Sequence, residues 1–287
     1  MSKEIPSPSP SLSPNEIPSP SPSPSLSASE NPPVTKEKTV TKETINRLLK
    51  DVRQILKHPL TDNGIYYVHD EEDMLKGYAM IVGPEGTPYF GGYYFFEFNF
   101  PYDYPFSPPK VKFMTNNGFT RFNPNLYKCG KVCVSILNTW SGDKWSSCQT
   151  INSILLTLCS LLNDTPFLNE PGQTLKSRDC ISYHSSITFM NISYAVCDLI
   201  ANVSGQIPQQ FLIFYEDMKT LFLKNYEMLT TFVKSQKEEV EYLNVQIYSM
   251  NTRIDYKLLI NKLQSVKNKF EMETKKDDIK EDIKEKI

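Results

Sequence analysis

Four short runs rich in aromatic and branched residues, IYYVH, LKGYAMIV, YYFFEFNF and KVKFM, fall between residues 64 and 114, with Gly- and Pro-containing breaks between them. Runs of this length and composition read as strands, here as a four-stranded antiparallel meander. GPEGTPYFGG supplies the turn between the second and third. After the third comes PYDYPFSPPK, whose prolines cannot donate to a sheet ladder and so form a rigid loop. Within it, Tyr104-Pro105 is a candidate cis bond, because X-Pro steps sample cis far more readily than others.

Helical patterns lie on both sides of this segment. In residues 41–57, Ile45, Leu48, Leu49, Val52, Ile55 and Leu56 recur at helical spacing on one face, and His58-Pro59 ends the run. Residues 150–162 place Ile151, Ile154, Leu155, Leu158, Leu161 and Leu162 at the spacing of a strongly buried helix. A further long helix is expected over 177–203. After the break at Gly205 and Pro208 the chain reads as helical throughout to about residue 271, and KKDDIKEDIKEKI as a fraying or solvated helix. One helix, four strands and several further helices make an α+β fold, with the helices segregated from an antiparallel sheet.

Residues 1–36 hold 10 of the 21 prolines and 11 serines, with EIPSPSP repeated at Glu4 and Glu16. Such a segment cannot bury enough apolar surface to offset its ordering entropy, so a disordered arm is expected. Its simplest role is that of a solubilising tail. Its six Ser-Pro steps, such as Ser7-Pro8 and Ser23-Pro24, also suit regulation by phosphorylation.

A net charge of −2 gives no reason to expect a nucleic acid or an anionic membrane as partner. No apolar run of about 18 residues occurs, and MSKEIPSPSP lacks the apolar core of a signal peptide. An intracellular setting follows, where thiols stay reduced. The six cysteines, at 129, 133, 148, 159, 180 and 197, show no CxxC pairing, which argues against structural zinc. Cys159 and Cys197 lie in apolar runs and read as small buried hydrophobes. The sequons at Asn163, Asn191 and Asn202 carry little weight without a secretory route.

Chemistry concentrates in NPNLYKCGKVCVSIL, residues 123–137, where Cys133 follows Asn125 by eight residues with the turn pair Cys129-Gly130 between them. Trp140 and Trp145 follow, then the acidic loop NDTPFLNEPG. A thiol is a nucleophile only as thiolate, and cysteine peptidases secure this with an adjacent histidine. The three histidines, His58, His69 and His184, sit in no recognisable peptidase setting. Exchange between thiols asks for less, because the incoming acyl group is already activated. Attack of an amine on the resulting thioester passes through an oxyanion, which the amide of Asn125 can bind, or Asn125 can brace the loop that does so. A carboxylate that orients the amine or takes its proton is also needed. Glu170 is the first candidate and Asp164 the second, though Asp164 suits a turn equally well. Singly each signal is weak; their order and spacing carry the argument.

With these motifs in this order, residues from about 40 to 203 resemble the catalytic core of the ubiquitin-conjugating enzymes. The resemblance implies that Cys133 is the thioester cysteine, Asn125 the oxyanion-loop asparagine and Glu170 the acidic gate before proline. It also implies that Tyr127 contacts the incoming lysine, an assignment that competes with simple packing of the loop. Asn123 stands where the family usually has histidine, and the loop over residues 137–145 is about four residues longer than in short members. FNPNLYKCGKVCVSILNTW, the two tryptophans, NEPG and the C-terminal AVCDL and RIDYKLLINKL resemble the Z-type branch, extending the similarity to about residue 271.

The boundaries implied are a disordered arm (1–38), a catalytic core (39–203), a helical C-terminal extension (204–271) and a charged tail (272–287). The implied partners are ubiquitin or a ubiquitin-like modifier and an activating enzyme, docked through the basic face of Arg47, Lys50 and Arg53. A ligase is a further partner, but while Phe106 matches the expected aromatic, Ser146, Ser147 and Cys148 replace the expected Ser-Pro-Ala. No cofactor is expected: ATP and magnesium act at the activating enzyme, and no phosphate-binding Gly-rich loop occurs. The resemblance implies a cytoplasmic or nuclear transferase. Its alternatives are a carrier for another modifier and a non-catalytic ubiquitin-binding adaptor.

Overall fold

The computed structural model describes residues 39–202 and 205–285. The Ser/Pro-rich arm expected over residues 1–38 lies outside the described residues.

The meander forms as expected. β1 (Ile65–His69), β2 (Lys76–Val82), β3 (Tyr93–Asn99) and β4 (Lys110–Phe113) pair antiparallel in sequence order. Ala79 stands opposite both Tyr67 and Phe96, and Phe96 opposite Phe113. On β3, Tyr94, Phe96 and Phe98 enter one core, while Tyr93 and Phe95 enter a second on the opposite face. Because both faces are covered, the central strands are nearly continuous apolar runs rather than alternating ones. The Tyr104-Pro105 peptide is cis.

α1 (Lys42–Lys57) begins at Thr41, whose hydroxyl accepts the Thr44 N–H. Its buried face is Thr44, Leu48, Asp51 and Ile55 rather than the all-apolar set expected. Leu49 and Leu56 are 42% and 72% exposed. Asp51 takes an inward position in their place because both its oxygens are satisfied, by Arg47 Nε at 2.9 Å and by the Tyr104 hydroxyl at 2.6 Å. Arg47 also donates to the carbonyls of Ser147 and Gln149. It therefore ties α1 to the 146–149 loop and leaves the basic face to Lys50 and Arg53, which are exposed.

α2 (Ile151–Ser160) starts with a reciprocal capping box between Thr150 and Ser153 and buries Ile151, Ile154, Leu155 and Leu158 against the first core. α3 (Cys180–Met190) continues through a π-helical stretch, Asn191–Asp198, into the short α4 (Leu199–Ala201). The Asn191 side chain at the start of that stretch is buried, accepting the Tyr94 hydroxyl and donating to the Phe90 carbonyl. A Cβ at Gly92 would fall 1.9 Å from its Oδ1, so only glycine fits there. This sequon asparagine is a core residue. Cys197 is buried as expected, whereas Cys159 is only partly so.

The extension departs from expectation between its helices. α5 (Tyr215–Lys234) and α6 (Tyr256–Glu285) cover the second face of the sheet through Met218, Phe222, Leu259, Leu263 and Val266. Between them lies an antiparallel hairpin, β5 (Glu241–Val245) with β6 (Met250–Ile254), where helix was expected. In β6, Met250, Thr252 and Ile254 are buried and Asn251 and Arg253 exposed, a period of two that five residues express too briefly to outweigh the helical patterns around it. The charged stretch after residue 271 continues α6 as far as Glu285. Among the described residues no helix is long and apolar enough to cross a membrane.

Candidate active site

Between β4 and α2, the turn from Asn125 to Cys133 is built on one glycine. Gly130 has φ +88°, and a Cβ there would press within 3.0 Å of the Lys112 side chain and the Phe113 carbonyl. The tight turn it permits is closed by Gly130 N–H to the Tyr127 carbonyl (2.8 Å) and Tyr127 N–H to the Lys131 carbonyl (2.9 Å). Leu126 is thereby bridged to Val132, and the chain returns to bring Cys133 beside Asn125.

Cys133 donates its N–H to the Asn125 carbonyl at 2.9 Å, and Asn125 Nδ2 donates to the Cys133 carbonyl at 2.7 Å. Of the two readings of Asn125, the brace is the one this geometry displays. Cys133 is 2% exposed. Cys129 faces solvent at the turn. His69, on β1, is engaged with the Tyr67 hydroxyl and the Met74 carbonyl.

Asn123 is fully buried and uses both ends of its amide. Its Nδ2 donates to the Leu161 carbonyl (2.7 Å) and the Tyr89 hydroxyl (3.0 Å). Its Oδ1 accepts the Asn125 N–H (2.9 Å) and, at 3.5 Å, Asn169 Nδ2. One side chain thus joins the cysteine loop, the end of α2, the turn before β3 and the acidic loop. Burial keeps the Tyr89 phenol protonated by raising it far above its ordinary value.

Glu170 follows the 3₁₀ turn Pro166–Asn169 and is half-buried. Its Oε2 accepts the hydroxyl of Tyr248 at 2.7 Å, a partner from the hairpin of the extension. Asp164 is exposed and accepts the neighbouring Thr165 hydroxyl, a turn role.

Tyr127 lies under the Arg121 guanidinium, whose carbon is 3.3 Å from the ring centroid. Arg121 also donates to the carbonyls of Asn123 (3.1 Å) and Pro124 (2.6 Å), and it stands 5.5 Å from the Tyr248 ring. Tyr127 thus packs against Arg121 within the loop. Asn125 and Cys133 meet directly, and Glu170 joins them through the Asn169–Asn123 contact. Sequence reasoning missed Arg121 and Tyr248. The first has a visible signal, a cation two residues before the motif; the second has none, since it lies 78 residues beyond its partner.

Away from the cysteine, Phe106 is 61% exposed, and Ser146, Ser147 and Cys148 in the neighbouring loop are exposed too. Trp145 ties these two loops together by donating Nε1–H to the Pro105 carbonyl at 2.7 Å.

The family model described as ubiquitin-conjugating enzyme matches residues 47–193, about half of the chain and all four candidate residues. The chain belongs to the ubiquitin-conjugating enzyme family. The ubiquitin-conjugating enzyme E2 Z of Xenopus tropicalis is 35% identical over 242 residues, covering 83% of this chain and 75% of that protein. That alignment is longer than the family core, so the similarity includes part of the chain beyond it. The human E2 Z is 42% identical over 180 residues, 59% of this chain and 50% of its own length. The Danio rerio E2 Z is 35% identical over 235 residues, 80% of this chain and 70% of that protein. Enzymes of this family are transferases that act through a thioester intermediate.

Proposed function

We propose that this chain accepts ubiquitin from an activating enzyme on Cys133 and passes it to a substrate lysine. The observation that carries the reading is the double clamp of Asn125 on the backbone N–H and carbonyl of Cys133, which fixes thiol-bearing and amide-bearing residues in one loop. In the first step the Cys133 sulfur attacks the carbonyl of the activated C-terminus and expels the activating enzyme's thiolate. In the second, a lysine nitrogen attacks the Cys133 thioester carbonyl. The oxyanion forms, the C–S bond breaks, and the thiolate returns to Cys133.

Asn125 serves both steps as the brace, and its second N–H is the donor toward the oxyanion. Glu170 orients the amine and receives its proton, directly or through water. Tyr127, fixed by Arg121, forms a wall of the lysine approach rather than a proton carrier. ATP and magnesium act at the activating enzyme. Lys50 and Arg53 face that enzyme, with Arg47 acting through the 146–149 loop. Phe106 and the Trp145-anchored loop are the ligase-facing surface. Similarity to E2 Z proteins supports preferential charging by the alternative activating enzyme of that pathway.

The test is a charging assay with several purified activating enzymes and modifiers, read on non-reducing gels. A reducible Cys133 adduct with ubiquitin is expected. Equal charging by every activating enzyme would remove the Z-type specificity, and binding of ubiquitin without an adduct under any of them would make the chain an adaptor.

A further inference from the structure

The hairpin of the extension does not merely pack; its tip reaches the candidate site at several separate points. Tyr248 donates its hydroxyl to Glu170 Oε2 at 2.7 Å. Its carbonyl accepts Lys128 Nζ at 3.2 Å, from the turn between Asn125 and Cys133. Its ring packs with Tyr183 (centroids 5.3 Å apart) and edge-on with Phe167 (6.4 Å). Just before it in the chain, the Ile247 N–H donates to Asp179 at 2.9 Å and Arg178 donates to Gln246 at 3.3 Å. Val245 and Met250, the closing pair of the hairpin, enter the first core with the cysteine loop.

We propose that Tyr248 is a positioning residue for Glu170, so that the C-terminal extension is a working part of the transfer site. The inference rests on the reading of Glu170 as the acidic gate. With Oε2 held by Tyr248, the carboxylate keeps one rotamer and presents Oε1 toward the amine. A carboxylate beside a glycine-containing loop, unheld, samples several rotamers, and misplacement by about an ångström is enough to slow a step that depends on orientation. Tyr248 suits the task because desolvation, reinforced by the bond to Glu170, raises its phenol far above the ordinary value. A raised phenol keeps its proton, and with it the donor, until pH climbs past that folded value, so the contact is intact across pH 7 to 9.

The experiment compares the full chain with Tyr248→Phe, Glu170→Ala and the double variant in single-turnover discharge of preloaded Cys133 to free lysine. Tyr248→Phe keeps the ring that packs on Phe167 and Tyr183 and removes only the hydroxyl. Expected are normal charging and discharge slowed about five- to tenfold at pH 7, the scale of one ordinary net hydrogen bond. The defect should shrink toward pH 9 in parallel with that of Glu170→Ala, and the double variant should be no slower than Glu170→Ala alone. A purely structural role would instead slow charging as well, at every pH. Should Glu170→Ala discharge slowly while Tyr248→Phe matches the parent, or should the two defects multiply in the double variant, the positioning role is overturned and the gate stands. Should Glu170→Ala itself match the parent, the gate reading fails and the role of Tyr248 with it.

Discussion

Asn125 holds Cys133 from both sides of its Cα, accepting its N–H at 2.9 Å and donating to its carbonyl at 2.7 Å. The eight-residue spacing between them is thus a geometric requirement: it is the length of chain that turns at Gly130 and returns to make both bonds. Among the described residues Asn125 Oδ1 is buried without a hydrogen-bond partner, and the donor end orients its amide.

Asn125→Ala removes the side-chain half of this clamp and the proposed oxyanion donor, and leaves the backbone half intact. Charging of Cys133 is expected to be near normal, and discharge to free lysine slower by about a hundredfold, the scale of a lost oxyanion donor. Single-turnover discharge on non-reducing gels measures both. A variant that fails at charging in proportion to discharge would show that bracing is its whole contribution.

Cys133→Ser is expected to accept the modifier as an oxyester that survives reducing agent, because an alkoxide leaves less readily than a thiolate. Cys129→Ala should charge and discharge like the parent, since that side chain stands in solvent at the turn. Loss of charging in Cys129→Ala but not in Cys133→Ala would reassign the nucleophile and shift the register of the whole loop.

The meander, α1, α2 and the Asn125–Cys133 relation were legible because each is local: periodicity, proline placement and spacing act within about 20 residues. Asp51 misled the reading of α1, since a carboxylate goes inward only where remote partners await it, here Tyr104. Asn123 looked like a departure from a pattern; its role as the junction of four segments depends on Tyr89, Leu161 and Asn169, which spacing alone does not place. Tyr248 was hidden for the same reason, and further because its hairpin is flanked by two strong helical patterns.

Asn123→Ala is expected to cost about 2–4 kcal/mol of stability, because it takes the side-chain acceptor from the Asn125 N–H and leaves the Leu161 carbonyl with the longer 3.4 Å bond from Asn169. Denaturant unfolding measures the loss. Charging should fall as well, since the cysteine loop loses its anchor to α2. An Asn123→Ala midpoint equal to that of the parent would mean that water or a rearranged neighbour replaces the amide.

His69 introduces a pH dependence of stability. Its burial on β1 lowers it below the ordinary imidazole value of 6.5, against opposing pulls from the Met74 carbonyl, Asp70 and Asp73. Folding therefore favours the neutral ring, which accepts from Tyr67 and donates to Met74 in a single tautomer. This contribution is complete above the unfolded value and is lost as pH falls through the lower, folded one. The thermal midpoint should drop between pH 7 and pH 5, and the drop should be shallower in His69→Gln. Parallel curves for the two proteins would place the acid sensitivity elsewhere.

Glu170→Ala should leave charging of Cys133 unchanged, because the incoming group in that step brings no amine. Discharge is different. Free lysine, with an ordinary value of about 10.4, is almost wholly protonated at pH 7, so a carboxylate that orients the amine and takes up its proton contributes most there. Raising the pH to 9 increases the deprotonated fraction roughly a hundredfold and supplies what the carboxylate did. The ratio of parent to Glu170→Ala discharge rates should accordingly be largest at pH 7 and fall steadily toward pH 9. Glu170→Gln, which keeps a hydrogen-bonding oxygen for Tyr248 but accepts no proton, separates the two duties. If it behaves like Glu170→Ala, proton uptake dominates; if it behaves like the parent, orientation of the amine is what the residue contributes. A discharge ratio that stays constant from pH 7 to 9 would remove Glu170 from the proton path.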